Sequence, residues 1–157
     1  PEIASPSELL PLLGRQELDE ADRSRLLQSL LDMDDDNRAG AVTGLAFSAQ
    51  PEVPARLRAL YDYERSEEVL RRIVYGLGQI AKQGHELEAT KQFLRERLPH
   101  GNSGLRFAIA LTLLQLGDPF GIDLVRQRAA LFHESFDRYD LVAPALKALA
   151  EFEQRAS

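Results

Sequence analysis

The sequence predicts an all-α protein, folded as a short right-handed α-solenoid of about three to four helix pairs. Apolar residues recur at i, i+3, i+4 and i+7 from end to end, and no Val/Ile/Thr run alternates as a half-buried strand does. The connections between helical stretches are only a few residues long, so neighbouring helices must run antiparallel. The pairs also repeat: Val53, Leu87 and Ile122 correspond at spacings of 34 and 35 residues, as do Leu60, Leu94 and Ala129. A period of that length marks stacked helical repeats rather than a bundle.

Ser5-Pro6-Ser7-Glu8 reads as a capping box with Pro at the first helical position, opening a short helix through "ELLPLL" whose last turn Pro11 disturbs. A second helix is expected over about 19–33, with Leu26, Leu27, Leu30 and Leu31 as its apolar residues. Seven more follow near 36–49, 51–64, 67–83, 86–98, 103–117, 119–133 and 139–154. Their starts are marked by cap residues: about Asn37 after the run of aspartates, Ser66 ahead of Glu67 and Glu68, and Ser103 after Gly101-Asn102. In the first helix of each pair, "RAGAVTGLAFSA", "LRRIVYGLGQIA" and "LRFAIALTLLQLG" share an early Arg, small or apolar middle residues and a late Leu.

"VYGLGQIA" holds Gly76-x-Gly78-x-x-Ala81, the spacing of a dinucleotide-binding turn, and Glu96 lies where a ribose-binding acid would be sought. The repeat explains these glycines better. Gly76 falls in the small-residue slot held by Gly44 and Thr112 in the other copies, where helix backbones approach closely. The residues ahead of it are already helical after the Ser66 cap, where a dinucleotide fold needs a strand. No cofactor is expected.

"LRFAIALTLLQLGDPFGIDLV", from Leu105 to Val125, resembles a HEAT repeat of the bacterial, bilin-lyase-like type. That pattern has an apolar-Arg start, an Ala-rich first helix, Leu-Gly-Asp-Pro at the turn and an Ile-x-x-Leu second helix. Leu116-Gly117-Asp118-Pro119 supplies the turn, and the segments 36–64 and 67–98 match more loosely. The likeness covers about residues 36–154 and implies a single repeat domain over 1–157, with 1–35 as an acidic N-terminal helix pair or cap. The likeness is specific for architecture rather than activity; because solenoids usually act through binding surfaces, the expected function is a non-enzymatic protein-binding module: an adaptor, an assembly factor or a neutralising partner. The repeat type also carries a chromophore-handling, bilin-lyase-like alternative and, further off, a HEAT-like DNA glycosylase.

Charge narrows these readings. Residues 1–36 hold ten Asp/Glu against three Arg, whereas 37–157 hold fifteen against sixteen Arg and Lys. An acidic chain with 3 Lys and no Trp lacks the basic, aromatic surface that nucleic acid demands, and the same holds for an anionic membrane. The acidic segment would instead suit a basic protein partner through electrostatic steering. The absence of Cys rules out disulfides and Cys-ligated metals; with no basic leader before the first apolar run and no apolar span near membrane length, a cytoplasmic protein is expected.

No catalytic or metal site is expected. Asp32, Asp34 and Asp36 imitate the first positions of a calcium loop, but Asn37 stands where it needs Gly and Thr43 where it needs Glu. His85, His100 and His133 never fall one helical turn apart. Binding is assigned to the concave row of second helices. If Val53, Leu57, Leu60 and Tyr61 face the core, then Arg58, Asp62 and Tyr63 face outward, joined by Gln92, Arg95 and Glu96 and by Arg126 and Gln127. Tyr63, an aromatic off the core stripe near Arg, is the expected anchor. Self-association is a further expectation, because Leu141, Val142, Leu146, Leu149 and Phe152 on the last helix have no following repeat to cover them.

Overall fold

The computed structural model describes residues 19–48, 51–133 and 142–156. Among them are eight α-helices and no strand: α1 (Glu20–Ser29), α2 (Asp35–Ser48), α3 (Val53–Tyr63), α4 (Glu67–Lys82), α5 (Leu87–Arg97), α6 (Ser103–Gln115), α7 (Ile122–His133) and α8 (Val142–Ala156), with a 3-10 turn at Pro119–Gly121. The fold class is therefore the expected one, and the helix bounds lie close to those the periodicity predicts. The proposed capping box at Ser5–Glu8, the "ELLPLL" helix, Leu141 and the expected start of the last helix at 139 lie outside the described residues. The chain divides into two compact units, Pro1–Thr90 and Lys91–Ser157, with the boundary inside α5.

In the first unit α2 packs on α4, first helix on first helix, as in an α-solenoid, while α1 and α3 both pack on α2. Ala41, Val42, Leu45, Leu57, Ile73, Val74 and Leu77 are buried at the centre. Gly76 lies inside α4, not in a strand-to-helix turn, and a Cβ built on it would lie 3.0 Å from the Cβ of Ala46. The small-residue slot is thus a packing requirement.

The local starts and stops have visible causes. Asp19 caps α1 by accepting from the Asp22 N–H at 2.7 Å, but α1 ends at Ser29 rather than near Met33, closing with tight bonds from Leu31 to Gln28 and from Asp32 to Ser29. Leu31 therefore leaves the stripe expected of it. The aspartates that follow turn onto the backbone: Asp32 accepts from the Asp34 N–H at 2.9 Å and Asp34 from the Asp36 N–H at 2.8 Å. The α2 cap is thereby Asp34, three residues before the expected Asn37, whose Nδ2 instead donates to Asp32. Ser66 caps α4 as expected. At α6 the cap is Asn102, accepting from the Leu105 N–H at 2.9 Å, so Ser103 is the first helical residue rather than the cap. An amide side chain reaches the second or third N–H as readily as a hydroxyl does.

The second unit is built around α6, which is buried on nearly all sides from Leu105 to Leu114 and packs against α7, α8 and the 3-10 turn. Its end explains Leu-Gly-Asp-Pro. Gly117 takes a φ of 83°, the Gly117 N–H bonds to the Leu114 carbonyl and the Asp118 N–H to that of Leu113, a Schellman closure. Buried Asp118 then caps the 3-10 turn by accepting from the Phe120 N–H at 3.0 Å and holds Arg95 Nε at 2.6 Å. Gly121 sits against α6 so closely that a Cβ there would meet the Ala110 Cβ at 2.7 Å and its Cα at 3.1 Å.

Candidate functional site

A groove of ≈ 290 Å³ opens between α1 and α3, lined by Leu27, Leu30 and Leu31 on one wall and Arg56, Ala59, Leu60 and Tyr63 on the other. The α3 residues fall at i, i+3, i+4 and i+7, one stripe beside the core stripe of Val53, Leu57 and Tyr61. The two walls run in the same direction. Arg23, early in α1, pairs with Glu52 at the start of α3, and Leu31 beyond the end of α1 shares the groove with Tyr63 at the end of α3. Glu52 titrates below the ordinary carboxylate value because of its own backbone hydrogen bond, followed by the bond from Arg23 and the nearby charge of Arg56, all against the effect of burial.

One end of the groove is thus clamped by an ion pair and the other is apolar and open. Tyr63 is 86% exposed, Leu31 78% and Met33, two residues further on, 95%. Exposed large apolar side chains clustered around an apolar floor mark interaction surfaces.

Of the residues assigned to binding from the sequence, Tyr63 is the one the structure places on this groove. Arg58 lies on the same helix, half-buried, and donates to Glu86 at 3.2 Å; the cation that lines the groove with Tyr63 is Arg56. Asp62 is exposed beside Tyr63. In the second unit Gln92 donates to Glu96 at 2.8 Å along α5, and Glu96 also pairs with Arg97. Arg95, besides holding Asp118, lies 5.5 Å from the ring centre of Phe120, which is itself exposed. Arg126 pairs at 3.8 Å with Asp123 on its own helix, α7, where Gln127 is exposed.

Sequence reasoning missed Leu27, Leu30, Leu31, Arg56, Ala59 and Leu60 as a surface. The signal was the second apolar stripe on α3, which becomes visible once Leu60 is assigned to the groove rather than to the core.

The early arginines of the first helices tie the structure together. Arg72 donates to Glu68 at 2.9 Å and to Thr43 of α2 at 3.1 Å, and Arg106 donates to the Leu98 carbonyl at 3.2 Å. Arg38 makes the densest set: Glu64 at 2.8 and 3.0 Å, the Asp32 carbonyl at 2.7 Å, and Asp35. Of the loop's carboxylates, Asp32 and Asp34 accept from backbone N–H groups and Asp35 from Arg38, and no group of side chains among the described residues is arranged to hold a metal ion.

A family model for HEAT repeats matches residues 23–113, from α1 into α6. The match begins inside the segment read from sequence as a cap, and it takes in both walls of the groove. The curated proteins and the solved structures yielded no match. No described helix is long and apolar enough to cross a membrane.

Proposed function

The chain belongs to the HEAT-repeat family, and from that membership we propose that it is a non-enzymatic protein-binding module whose contact surface is the groove between α1 and α3. HEAT repeats generally mediate protein–protein interaction. The observation that carries the assignment is the exposure of Tyr63 and Leu31 at the rim of an apolar groove with Arg56 on its wall. Tyr and Arg beside a desolvatable floor are the residues that most often dominate binding energy. The roles in view are those of an adaptor, an assembly factor or a neutralising partner, acting in the cytoplasm.

The test is site-specific photo-crosslinking in the source cells, with benzoylphenylalanine at position 63 or 31 and at Gln79, exposed on α4, as the control. Adducts with one discrete protein at 63 and 31, and none at 79, are expected. Absence of adducts at 63, or equal adducts at 79, would overturn the assignment of this face.

A further inference from the structure

We propose that the occupant of the α1–α3 groove is a single amphipathic α-helix of another protein, with apolar residues at i and i+3 or i+4 facing the floor and a carboxylate about one turn away that pairs with Arg56. The inference deepens the protein-binding reading and rests on it.

The helical form follows from the walls. The α3 wall is helical, and the other wall is helical to Ser29 and closed beyond it by bonds from the Leu30, Leu31 and Asp32 N–H groups to the Leu26, Gln28 and Ser29 carbonyls, so the groove offers no edge-like row of alternating free N–H and C=O groups along its length. An extended segment lying against Leu27, Leu30, Ala59 and Leu60 would bring its own backbone polar groups onto apolar surface without partners, at a cost of about 1–3 kcal/mol for each group. A helix satisfies its backbone by itself and presents only side chains, as in other helix-in-groove complexes. The length fits: from Arg56 to Tyr63 the lined wall spans about 11 Å at about 1.5 Å per residue, or roughly two helical turns.

The carboxylate follows from the charge. Among the lining residues Arg56 is the one charged side chain, and it is exposed. It sits near the N-terminal end of α3, where the helix dipole adds positive partial charge. The neighbouring acid, Glu52, is held by Arg23. A cation on an otherwise apolar wall favours an occupant that is apolar along most of its face and anionic near that end.

The probe is a displayed library of helical peptides of about 14 residues, randomised along one face and selected on the whole chain. Selected peptides are expected to carry Leu-like residues at i and i+3 or i+4 with Asp or Glu about one turn away. Their affinity should fall about tenfold on Arg56→Glu and recover when the peptide acid is exchanged for Lys. Arg56 and Tyr63 are both exposed, so circular dichroism of the variants should match the parent chain. Selection of basic peptides, equal binding to Arg56→Glu, or no selected helix at all overturns the proposal. Crosslinks at position 63 without any selected helix would remove the helical occupant and leave the protein-binding reading standing; loss of both would remove both. A crosslinked partner that is a second copy of this chain would also overturn it.

Discussion

Gly76 in α4 faces Ala46 in α2 across a gap that a methyl group enters only if the neighbour gives by a few tenths of an ångström: its missing Cβ would lie 3.0 Å from the Ala46 Cβ, with Val42 at 3.6 Å and Leu57 at 3.7 Å. Alanine at 76 would gain about 1 kcal/mol of helix propensity, but overpacking costs about 1–3 kcal/mol and a Cβ cannot rotate away. Gly76→Ala should therefore destabilise the chain by about 1 kcal/mol in urea unfolding. Combining it with Ala46→Gly moves the methyl group across the same contact and should recover most of the packing loss. Because Ala46→Gly alone costs about 1 kcal/mol of helix propensity, the comparison is the double-mutant cycle: additive losses from the two single variants would show that the contact is not the cause.

Gly121 should be less tolerant. An added Cβ meets a backbone atom, the Ala110 Cα at 3.1 Å, besides the Ala110 Cβ at 2.7 Å, so relief requires moving α6 itself. Gly121→Ala should cost about 2–3 kcal/mol, more than Gly76→Ala in the same assay.

Glu64 gives the chain an acid-sensitive element. Its side chain is 3% exposed, and burial raises the cost of its charge. The hydrogen bonds from Arg38 and from the Ser66 and Arg65 N–H groups outweigh that cost and hold the carboxyl below its ordinary value of 4.5. A depressed folded-state pKa contributes stability that is complete above the unfolded value and lost as the pH falls through the folded one. Glu64→Gln should lower stability near neutral pH and flatten the decline below about pH 4.5. Arg38→Ala, which strands the buried carboxylate, should cost about 3 kcal/mol at neutral pH.

Two neighbours on α3 should separate folding from binding. Leu57 is fully buried and Tyr63 lies almost wholly in solvent. Leu57→Ala should cost about 2–5 kcal/mol, whereas Tyr63→Ala should change stability by less than about 0.5 kcal/mol. The same Tyr63→Ala chain should lose crosslinked or pulled-down partner if the groove is the contact surface.

The helices were legible because their signals are local. Ser66 with two acids behind it fixed the start of α4, and Leu116-Gly117-Asp118-Pro119 fixed the end of α6. Caps one to three residues away were misassigned where several candidates compete: Asn102 over Ser103, and Asp34 over Asn37. The groove was less legible. Its walls are separated by a whole helix in sequence, and Leu31 reads as part of an apolar stripe until α1 is seen to stop at Ser29. Likewise, spacing alone does not separate Arg58, turned to Glu86, from Arg56, on the groove.

The turn after α6 joins several dependencies in one place. Asp118 completes the helix closure that Gly117 permits, starts the next turn through the Phe120 N–H and anchors Arg95. Damage there is shared rather than summed: once Gly117 or Asp118 is lost, much of what Arg95 contributes at Asp118 is already gone. Over evolutionary time such residues should therefore persist or drift as a set, and a lineage that abandons one should soon be indifferent to the others.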